Sequence, residues 1–296
     1  MKYFFIDDSV KTVGGTSLTL DAIIEPNADN VEFIPTSELK FKDCVENKGI
    51  WILGNITALN DASATNIIWL LNNRPCVKIE FDYGYCPYRS PNSCIYFTKE
   101  TCSCFREESQ VPVLTHIYKL ITERCLHIFY MSQAQMDLHI SFTQEGAAPR
   151  SVLSSCFTSA TFNKILKLRE KPKNDKYAIL EGQGGWHSKA KGFEQAIQFA
   201  KRNNIRTDII KTETHDEMLQ LLSNYKGLIF LPIIQDTCPR IIIEAKLLNL
   251  QIFMNGHCQH TKESWWKQKH PIDIAEYLMG RPKYFWDTME NISQTI

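Results

Sequence analysis

Residues 227–249 read Gly227-Leu-Ile-Phe-Leu-Pro-Ile-Ile-Gln-Asp236-Thr-Cys-Pro-Arg-Ile-Ile-Ile-Glu244-Ala-Lys-Leu-Leu-Asn249, which predicts a buried strand, a loop and a helix. Pro239 is expected in the first helical turn, where its missing N–H costs little. Glu244 follows on a helix of mostly apolar residues, and a carboxylate there needs hydrogen-bond donors. Asp236 and Glu244 are therefore predicted to face the crevice at the carboxyl ends of the strands, where open α/β sheets bind ligands. The alternative is that Glu244 is a helix surface residue and Asp236 only a helix cap.

The rest of the chain alternates short β-branched or aromatic runs with longer amphipathic segments. Strands are predicted at residues 2–6, 50–54, 77–82, 127–131, 177–181, 208–211, 228–231 and 252–254. Apolar stripes with helical spacing begin at Phe193, Met218 and Ile242. Strands that alternate with helices imply βαβ units, so we expect an α/β protein with parallel sheets.

The length of 296 residues favours two domains. Residues 165–176 are highly charged and contain a proline, which is typical of a linker. We therefore expect an N-terminal domain over residues 1–165 and a C-terminal domain over 166–275. Residues 276–296 are expected to form a last helix, anchored against the first domain by aromatic side chains.

The charges are balanced overall but not along the chain. Lys+Arg and Asp+Glu both number 33, which argues against a general binder of polyanions such as nucleic acid. Residues 1–150 carry 13 basic and 18 acidic side chains, and residues 151–296 carry 20 and 15. Residues 161–212 alone hold 12 basic against 5 acidic ones, so an anionic ligand is expected in the second half.

The compartment is indicated by the apolar runs and the cysteines. No run approaches the roughly 18–20 apolar residues that a membrane span requires. Residues 1–6 are apolar but meet two aspartates at once, so they indicate a buried strand rather than a secretory signal. Ten cysteines without an export signal favour a reducing compartment, and we expect a cytoplasmic protein whose thiols are unpaired or bind metal.

A glycine pair follows the first predicted strand. Gly14 and Gly15 would let the backbone approach a ligand, and Thr16 or Ser17 would cap a helix over residues 18–24. A helix N-terminus suits a phosphate group. The alternative is a tight turn between strand and helix.

The second half repeats this arrangement. Residues 182–192 form a glycine-rich turn with Lys189 and Lys191, just before the helix at Phe193. Backbone N–H groups, basic side chains and a helix entry are the parts of a diphosphate cradle. The alternative is a flexible surface loop.

These motifs together resemble the retaining glycosyltransferases of family 4. Asp236 and Glu244 stand where that family has its E-x7-E signature, and Lys191–Gly192 resembles its upstream Lys-Gly. The Gly14–Gly15 turn and a strand ending in Ser132 recur in the expected order, so the resemblance spans residues 1 to about 269. It implies two facing Rossmann-like domains (the GT-B fold), with a nucleotide-sugar donor in the cleft.

The resemblance also implies roles. Lys191 would hold and neutralise the leaving diphosphate. Asp236, with the backbone N–H groups of Thr237, Cys238 and the neighbours of Pro239, would address the sugar. Glu244 would accept hydrogen bonds from the ribose hydroxyls. Gly14, Gly15 and Lys189 would contact the phosphates, and Asp82 would act at the reaction centre. No metal is required for this chemistry, and the chain contains no D-x-D triplet.

Two positions depart from the family pattern. The arginine that usually stands five residues before the lysine is replaced by Trp186, and the frequent His-Asp pair is Phe81–Asp82. These departures keep open a nucleotide-sugar or glycan-binding module without activity. Another enzyme class on the same fold, such as a sugar-nucleotide epimerase or a glycan phosphorylase, is a further alternative. Otherwise we expect a sugar transferred, with retention, to a glycan, lipid or small-molecule hydroxyl.

Four cysteines lie within 19 residues: Cys86, Cys94, Cys102 and Cys104. Their spacing, C-x7-C-x7-C-x-C, differs from the paired C-x2-C of standard zinc ribbons. Either they bind a structural zinc ion or they are unligated thiols. A zinc-stabilised nucleic-acid module is disfavoured by the zero net charge.

Overall fold

The computed structural model describes residues 1–8, 14–105, 112–143, 146–182, 189–268 and 270–296. Within them the chain forms two parallel sheets with helices on both faces. Trp186 and most of the glycine-rich turn at 182–192 lie outside the described residues.

The first sheet has six parallel strands in the order β2-β1-β3-β4-β5-β6. They are β1 (Tyr3–Asp7), β2 (Val31–Pro35), β3 (Ile50–Leu53), β4 (Cys76–Glu80), β5 (His127–Tyr130) and β6 (Arg150–Val152). The strands predicted from the sequence are the central ones. The two strands that were not predicted, β2 and β6, lie at the edges of the sheet. β2 is only partly buried, and β6 has three residues.

Helices cover both faces of this sheet. They are α1 (Gly15–Ile24), α2 (Phe41–Glu46), α3 (Asp61–Asn73), α4 (Pro91–Thr98), α5 (Pro112–Arg124) and α6 (Gln133–Thr143). One core includes Trp51, Leu70 and Tyr118, and the core on the opposite face includes Phe5 and Phe129. Aliphatic and aromatic side chains form both cores, as expected for strands buried on both faces, and β4 also buries the charged Lys78 and Glu80.

The second sheet has four parallel strands in the order β10-β9-β7-β8. They are β7 (Tyr177–Leu180), β8 (Thr207–Ile210), β9 (Gly227–Phe230) and β10 (Gln251–Met254). The first residue of each strand lies within one position of the predicted start. The surrounding helices are α7 (Ser159–Arg169), α8 (Phe193–Arg202), α9 (His215–Leu222) and α10 (Arg240–Leu247). The helical stripes predicted at Phe193, Met218 and Ile242 are confirmed.

The predicted linker is partly helical. Helix α7 continues through residue 169 because Phe162, Ile165 and Leu168 form a buried stripe against the core of the second sheet. The expected boundary at residue 165 therefore falls inside this helix. Irregular chain begins at residue 170 and leads to β7.

The last helix, α11 (Pro271–Ser293), belongs to both halves. Ile274 and Leu278 pack in the core of the second sheet. Phe285 and Met289 pack in the core of the first, beside Phe5. The helix starts five residues earlier than the expected segment 276–296, and its return to the first domain is confirmed.

Both sheets have one topological switch point. In the first sheet, β1 has β2 on one side and β3 on the other. In the second, β7 lies between β8 and β9. The loops after the diverging strands leave a crevice at this point, where open α/β sheets bind ligands. The loops after β7 and β9 carry Lys191 and Asp236.

Candidate functional site

Lys191 and Asp236 form an ion pair at the switch point of the second sheet. Lys191 Nζ donates to Asp236 Oδ2 over 2.5 Å. The lysine side chain is 53% exposed and the aspartate 11% exposed. The pair is thus open to the crevice on the side of the lysine, and a positive group there can meet an anionic ligand.

Gly192 lets the loop of Lys191 lie against the loop after β9. Its φ is +76°, a left-handed conformation that favours glycine, and a Cβ at this residue would collide with the carbonyl of Leu231. Ile233 also donates its N–H to Ala190 O over 3.0 Å. The Lys-Gly pair predicted from the sequence therefore has a steric reason.

The backbone of Asp236 is fixed by the loop after β10. Its N–H donates to His257 O and its carbonyl accepts from the N–H of Gln259, both over 2.9 Å. These bonds form an isolated parallel bridge between Asp236 and Cys258. Asp236 is consequently held by backbone contacts, and its carboxylate is left for Lys191 and a ligand.

Glu244 is 1% exposed and is bonded by two basic side chains. Its Oε1 accepts from Arg240 Nε over 2.9 Å and lies 2.7 Å from His215 Nε2. The surface-residue alternative is therefore wrong. The donors that a carboxylate on this apolar helix requires are Arg240, one turn earlier, and His215, at the start of α9.

Arg240 connects the start of α10 to the segment between β6 and α7. Its Nη1 donates to Cys156 O over 2.7 Å, and its guanidinium lies 3.7 Å from the centre of the Phe157 ring. A Cβ on Gly15 would lie 3.6 Å from the Cβ of Arg240. The N-terminus of α1 therefore faces the N-terminus of α10 across the cleft.

The expected cap of α1 is wrong. The helix begins at Gly15 with Gly14 at the N-cap, and no side chain caps it. Thr16 and Ser17 lie within the first turn, beyond the capping position. A Cβ on Gly14 would meet nothing within 4 Å, so its backbone borders open space. Both helix ends at this cleft can offer N–H groups to an anion.

Asp82, from the first sheet, lies near Lys191 on the opposite side of the cleft. It follows β4 and pairs with Arg89 over 3.0 Å, with about a third of each side chain exposed. Burial lowers the pKa of Lys191, but the nearby carboxylates of Asp236 and Asp82 outweigh it, so this pKa is raised. Lys191 therefore stays protonated at physiological pH, and three of the predicted catalytic residues are close together.

Direct hydrogen bonds join the two halves around this site. Thr237 Oγ1 donates to Phe81 O over 2.7 Å, and Tyr83 and Gln259 bond through their side chains. The carbonyl of Phe81 is thus used by the opposite domain. The side chain of Thr237 is buried by this contact. The expected role of its backbone N–H toward the sugar stays a prediction.

The other predicted donor residues are placed as follows. Cys238 contacts the cores of both sheets, and burial raises the pKa of its thiol to about 12. Pro239 is the N-cap of α10, one residue earlier than predicted. Lys189 is exposed at the start of the Lys191 loop.

The cysteine cluster forms in the loop after β4. The Sγ atoms of Cys86, Cys94, Cys102 and Cys104 all lie within 4.8 Å of one another. In the described part of the chain, no other group of three or more His, Cys, Asp or Glu is arranged for a metal. His260, three residues after His257, is buried and stacks on Trp265.

Arg240 and His215 are the site residues that the sequence did not reveal. The sequence did contain an indication for Arg240. It stands four residues before Glu244 on the same apolar helix, and residues at i and i+4 of a helix face each other. His215 had no such indication, because 29 residues separate it from Glu244. Only the packing of α9 beside α10 brings them together.

Comparisons with known proteins identify the architecture. No family model matches the chain, and no curated protein matches its sequence. Among solved structures, Anabaena HepE in complex with UDP and glucose has a TM-score of 0.58 at 13% identity, covering 98% of this chain and all of HepE. The chain therefore has the two-domain GT-B fold of glycosyltransferases.

Two further structures are similar. WaaG, a glycosyltransferase involved in lipopolysaccharide biosynthesis, has a TM-score of 0.57 at 10% identity, covering 95% of this chain and 90% of WaaG. An alpha-glucosyltransferase in complex with UDP and DNA has a TM-score of 0.50 at 12% identity, with coverages of 85% and 78%. At these identities the likeness concerns the fold.

None of the helices in the described ranges is long and apolar enough to cross a membrane.

Proposed function

We propose that this GT-B chain is a glycosyltransferase that moves a sugar from a nucleoside diphosphate donor to an acceptor hydroxyl. Neighbours of the same fold were solved with UDP or UDP-glucose. The observation that carries the proposal is the Lys191–Asp236 pair, which lies at the switch point of the second sheet beside two helix N-termini. A cation and free N–H groups at one crevice fit a diphosphate.

Lys191 would balance the charge that develops on the diphosphate as the anomeric C–O bond breaks. Electrostatic stabilisation of the leaving group is usually the largest protein contribution to such a reaction. When the donor binds, Lys191 would divide its hydrogen bonds between the phosphate and Asp236. Asp236 would then be close to the sugar, so it is the residue expected to bind the transferred group.

Glu244 would address the ribose. Its Oε1 already accepts from Arg240 and lies near His215, which fixes the carboxylate plane and leaves Oε2 for a ribose hydroxyl. We include Arg240 and His215 in the donor site as positioning residues.

The first domain would present the acceptor. Asp82 lies on the opposite wall, within electrostatic range of Lys191. A carboxylate there can orient an acceptor hydroxyl toward the anomeric carbon on the face that the diphosphate leaves. Retention of configuration would follow, and the chemistry requires no divalent metal. The class of acceptor, whether glycan, lipid or small molecule, remains part of this proposal.

The test is a transfer assay. Purified protein is incubated with UDP-, GDP- and ADP-linked sugars carrying a labelled sugar and with a panel of hydroxyl acceptors. We expect one donor to be consumed, the nucleoside diphosphate to be released and the label to appear on an acceptor with the anomeric configuration of the donor. Inverted product would contradict retention while supporting transfer.

A binding module without transfer is the second candidate. It is favoured by one observation: Phe81, at the family's histidine position, is buried and its carbonyl is bonded to Thr237. Calorimetry separates the two candidates. Saturable binding of a nucleotide sugar, without release of nucleotide under any acceptor, would support the binding module.

A further inference from the structure

We propose that Cys86, Cys94, Cys102 and Cys104 bind one zinc ion, which fixes the wall of the first domain that faces the donor site. The cluster is separate from the donor residues and has no part in the transfer described above. Its ligand type selects the metal class, since four thiolates suit tetrahedral Zn²⁺.

The distances between the sulfur atoms fit one ion. A Zn–S bond of about 2.3 Å in a tetrahedron places neighbouring sulfur atoms about 3.8 Å apart. All four Sγ atoms lie within 4.8 Å of one another, and those of Cys86 and Cys102 are 4.0 Å apart. A disulfide would bring two sulfur atoms to about 2.05 Å. The four side chains therefore converge on a common centre rather than pairing.

The four ligands come from different pieces of the loop. Cys86 lies in a tight turn in which Arg89, with a left-handed φ of 59°, donates its N–H to Cys86 O over 2.7 Å. Cys94 lies in the first half of α4. Cys102 and Cys104 follow in irregular chain. One ion would join three segments that share little regular structure.

Three of the four thiols are buried in the core of the first domain. Cys86, Cys94 and Cys102 are each at most 6% exposed and belong to the main core of the first domain. The neighbouring Tyr85 is fully buried against Tyr118. Regular secondary structure in residues 83–105 is limited to α4. A metal held by four thiolates would therefore supply a cross-link that stabilises this loop.

The loop borders the donor site through two contacts. Arg89, three residues after Cys86, pairs with Asp82 beside Lys191. Tyr83, three residues before Cys86, bonds to Gln259, whose N–H holds the carbonyl of Asp236. Removal of the ion is therefore expected to loosen Asp82 and the acceptor wall, and to leave the Lys191 loop in place.

The first test is the metal content of the full chain. Protein expressed with zinc in the medium, and purified without chelator, is analysed by mass spectrometry of metals. We expect about one zinc per chain. The cobalt-substituted protein should show the visible bands of tetrahedral thiolate coordination. A folded chain with no stoichiometric metal overturns the proposal, and so does iron with inorganic sulfide.

A pair of variants locates the ion. Cys104→Ala removes the most exposed of the four thiols, and Cys44→Ala removes a buried thiol in α2 as the matched control. We expect the first to lose at least tenfold in zinc affinity and the second to keep one zinc. Circular dichroism shows whether each is folded. Equal zinc content in both variants overturns the assignment.

Discussion

Thr237 donates a buried hydrogen bond from Oγ1 to the carbonyl oxygen of Phe81, over 2.7 Å. The bond joins the loop after β9 to the end of β4, so it ties the donor side of the cleft to the acceptor side. Asp236 and Asp82 are the direct neighbours of these two residues. This bond, together with the Tyr83–Gln259 contact, therefore holds the two loops that carry these carboxylates against each other.

Thr237→Val keeps the shape of this side chain and removes its donor. The buried carbonyl of Phe81 then has no partner, and we expect the free energy of unfolding to fall by about 1–3 kcal/mol. Transfer should fall more than nucleotide affinity, since Lys191 and Glu244 lie on the donor side. Urea unfolding and steady-state kinetics measure both. Thr288→Val, an exchange on α11 away from the cleft, is the control.

Lys191→Ala removes the cation that faces the leaving group. A hydrogen bond to a charged group contributes about 1.5–3 kcal/mol, so nucleoside diphosphate affinity should fall about ten- to hundredfold. Titration calorimetry at low salt measures this. Lys201→Ala, on an exposed position of α8, should bind as the wild type does. Unchanged affinity of Lys191→Ala would place the diphosphate elsewhere.

Glu244→Gln and Asp236→Asn should differ in which ligand they affect. Glu244→Gln removes the charge between Arg240 and His215, so nucleotide and nucleotide sugar should both bind more weakly. Breaking a buried ion pair should also lower the free energy of unfolding by about 3 kcal/mol. Asp236→Asn should bind free nucleotide nearly normally and lose turnover, because its partner is the transferred sugar. Equal affinities throughout would contradict the donor-site assignment.

Gly192→Ala tests the approach of the Lys191 loop to β9. The new Cβ would meet the carbonyl of Leu231 in a left-handed backbone conformation, which alone costs roughly 1–2 kcal/mol. We expect a lower melting temperature and weaker diphosphate binding. Gly280→Ala is the matched control: its Cβ meets nothing within 4 Å inside α11, so it should stabilise by about 0.5–1 kcal/mol.

His260 should make the free energy of unfolding depend on pH. Burial, with a smaller effect of Lys246, lowers its pKa from 6.5 to about 3. The folded state keeps the ring neutral, whereas the unfolded chain takes up a proton below about pH 6.5. This contribution to stability is therefore complete above pH 6.5 and is lost as the pH falls toward 3, by about 2 kcal/mol at pH 5.

His260→Phe should flatten this dependence. Phenylalanine can keep the stacking on Trp265, where the ring centres are 5.6 Å apart, and it cannot be protonated. Urea unfolding at pH 7 and pH 5 gives the comparison. The exposed His116→Phe should leave the pH dependence as in the wild type. If the free energy of unfolding changes equally between pH 7 and pH 5 in all three proteins, other buried groups determine the pH dependence.

The central strands and the Lys191–Asp236 region were predictable because their signals are local. Each central strand is a continuous apolar run, and each loop residue follows directly on a strand end. The edge strands β2 and β6 were not predictable from the sequence. β2 is partly exposed and β6 has only three residues, so neither gives a continuous apolar run. The contacts of Glu244 with His215 and of Thr237 with Phe81 join distant positions, so only the assembled sheets reveal them.

The position of Phe285 and Met289 has a consequence for synthesis on the ribosome. Both side chains complete the core of the first sheet, although about 130 residues of the other domain precede them in the chain. The first domain emerges early but keeps an apolar face uncovered until α11 has left the exit tunnel. Newly made chains therefore expose this apolar face until synthesis is nearly finished. A chain that ends before residue 274 lacks part of both cores, and one that ends between residues 279 and 284 lacks part of the first core only.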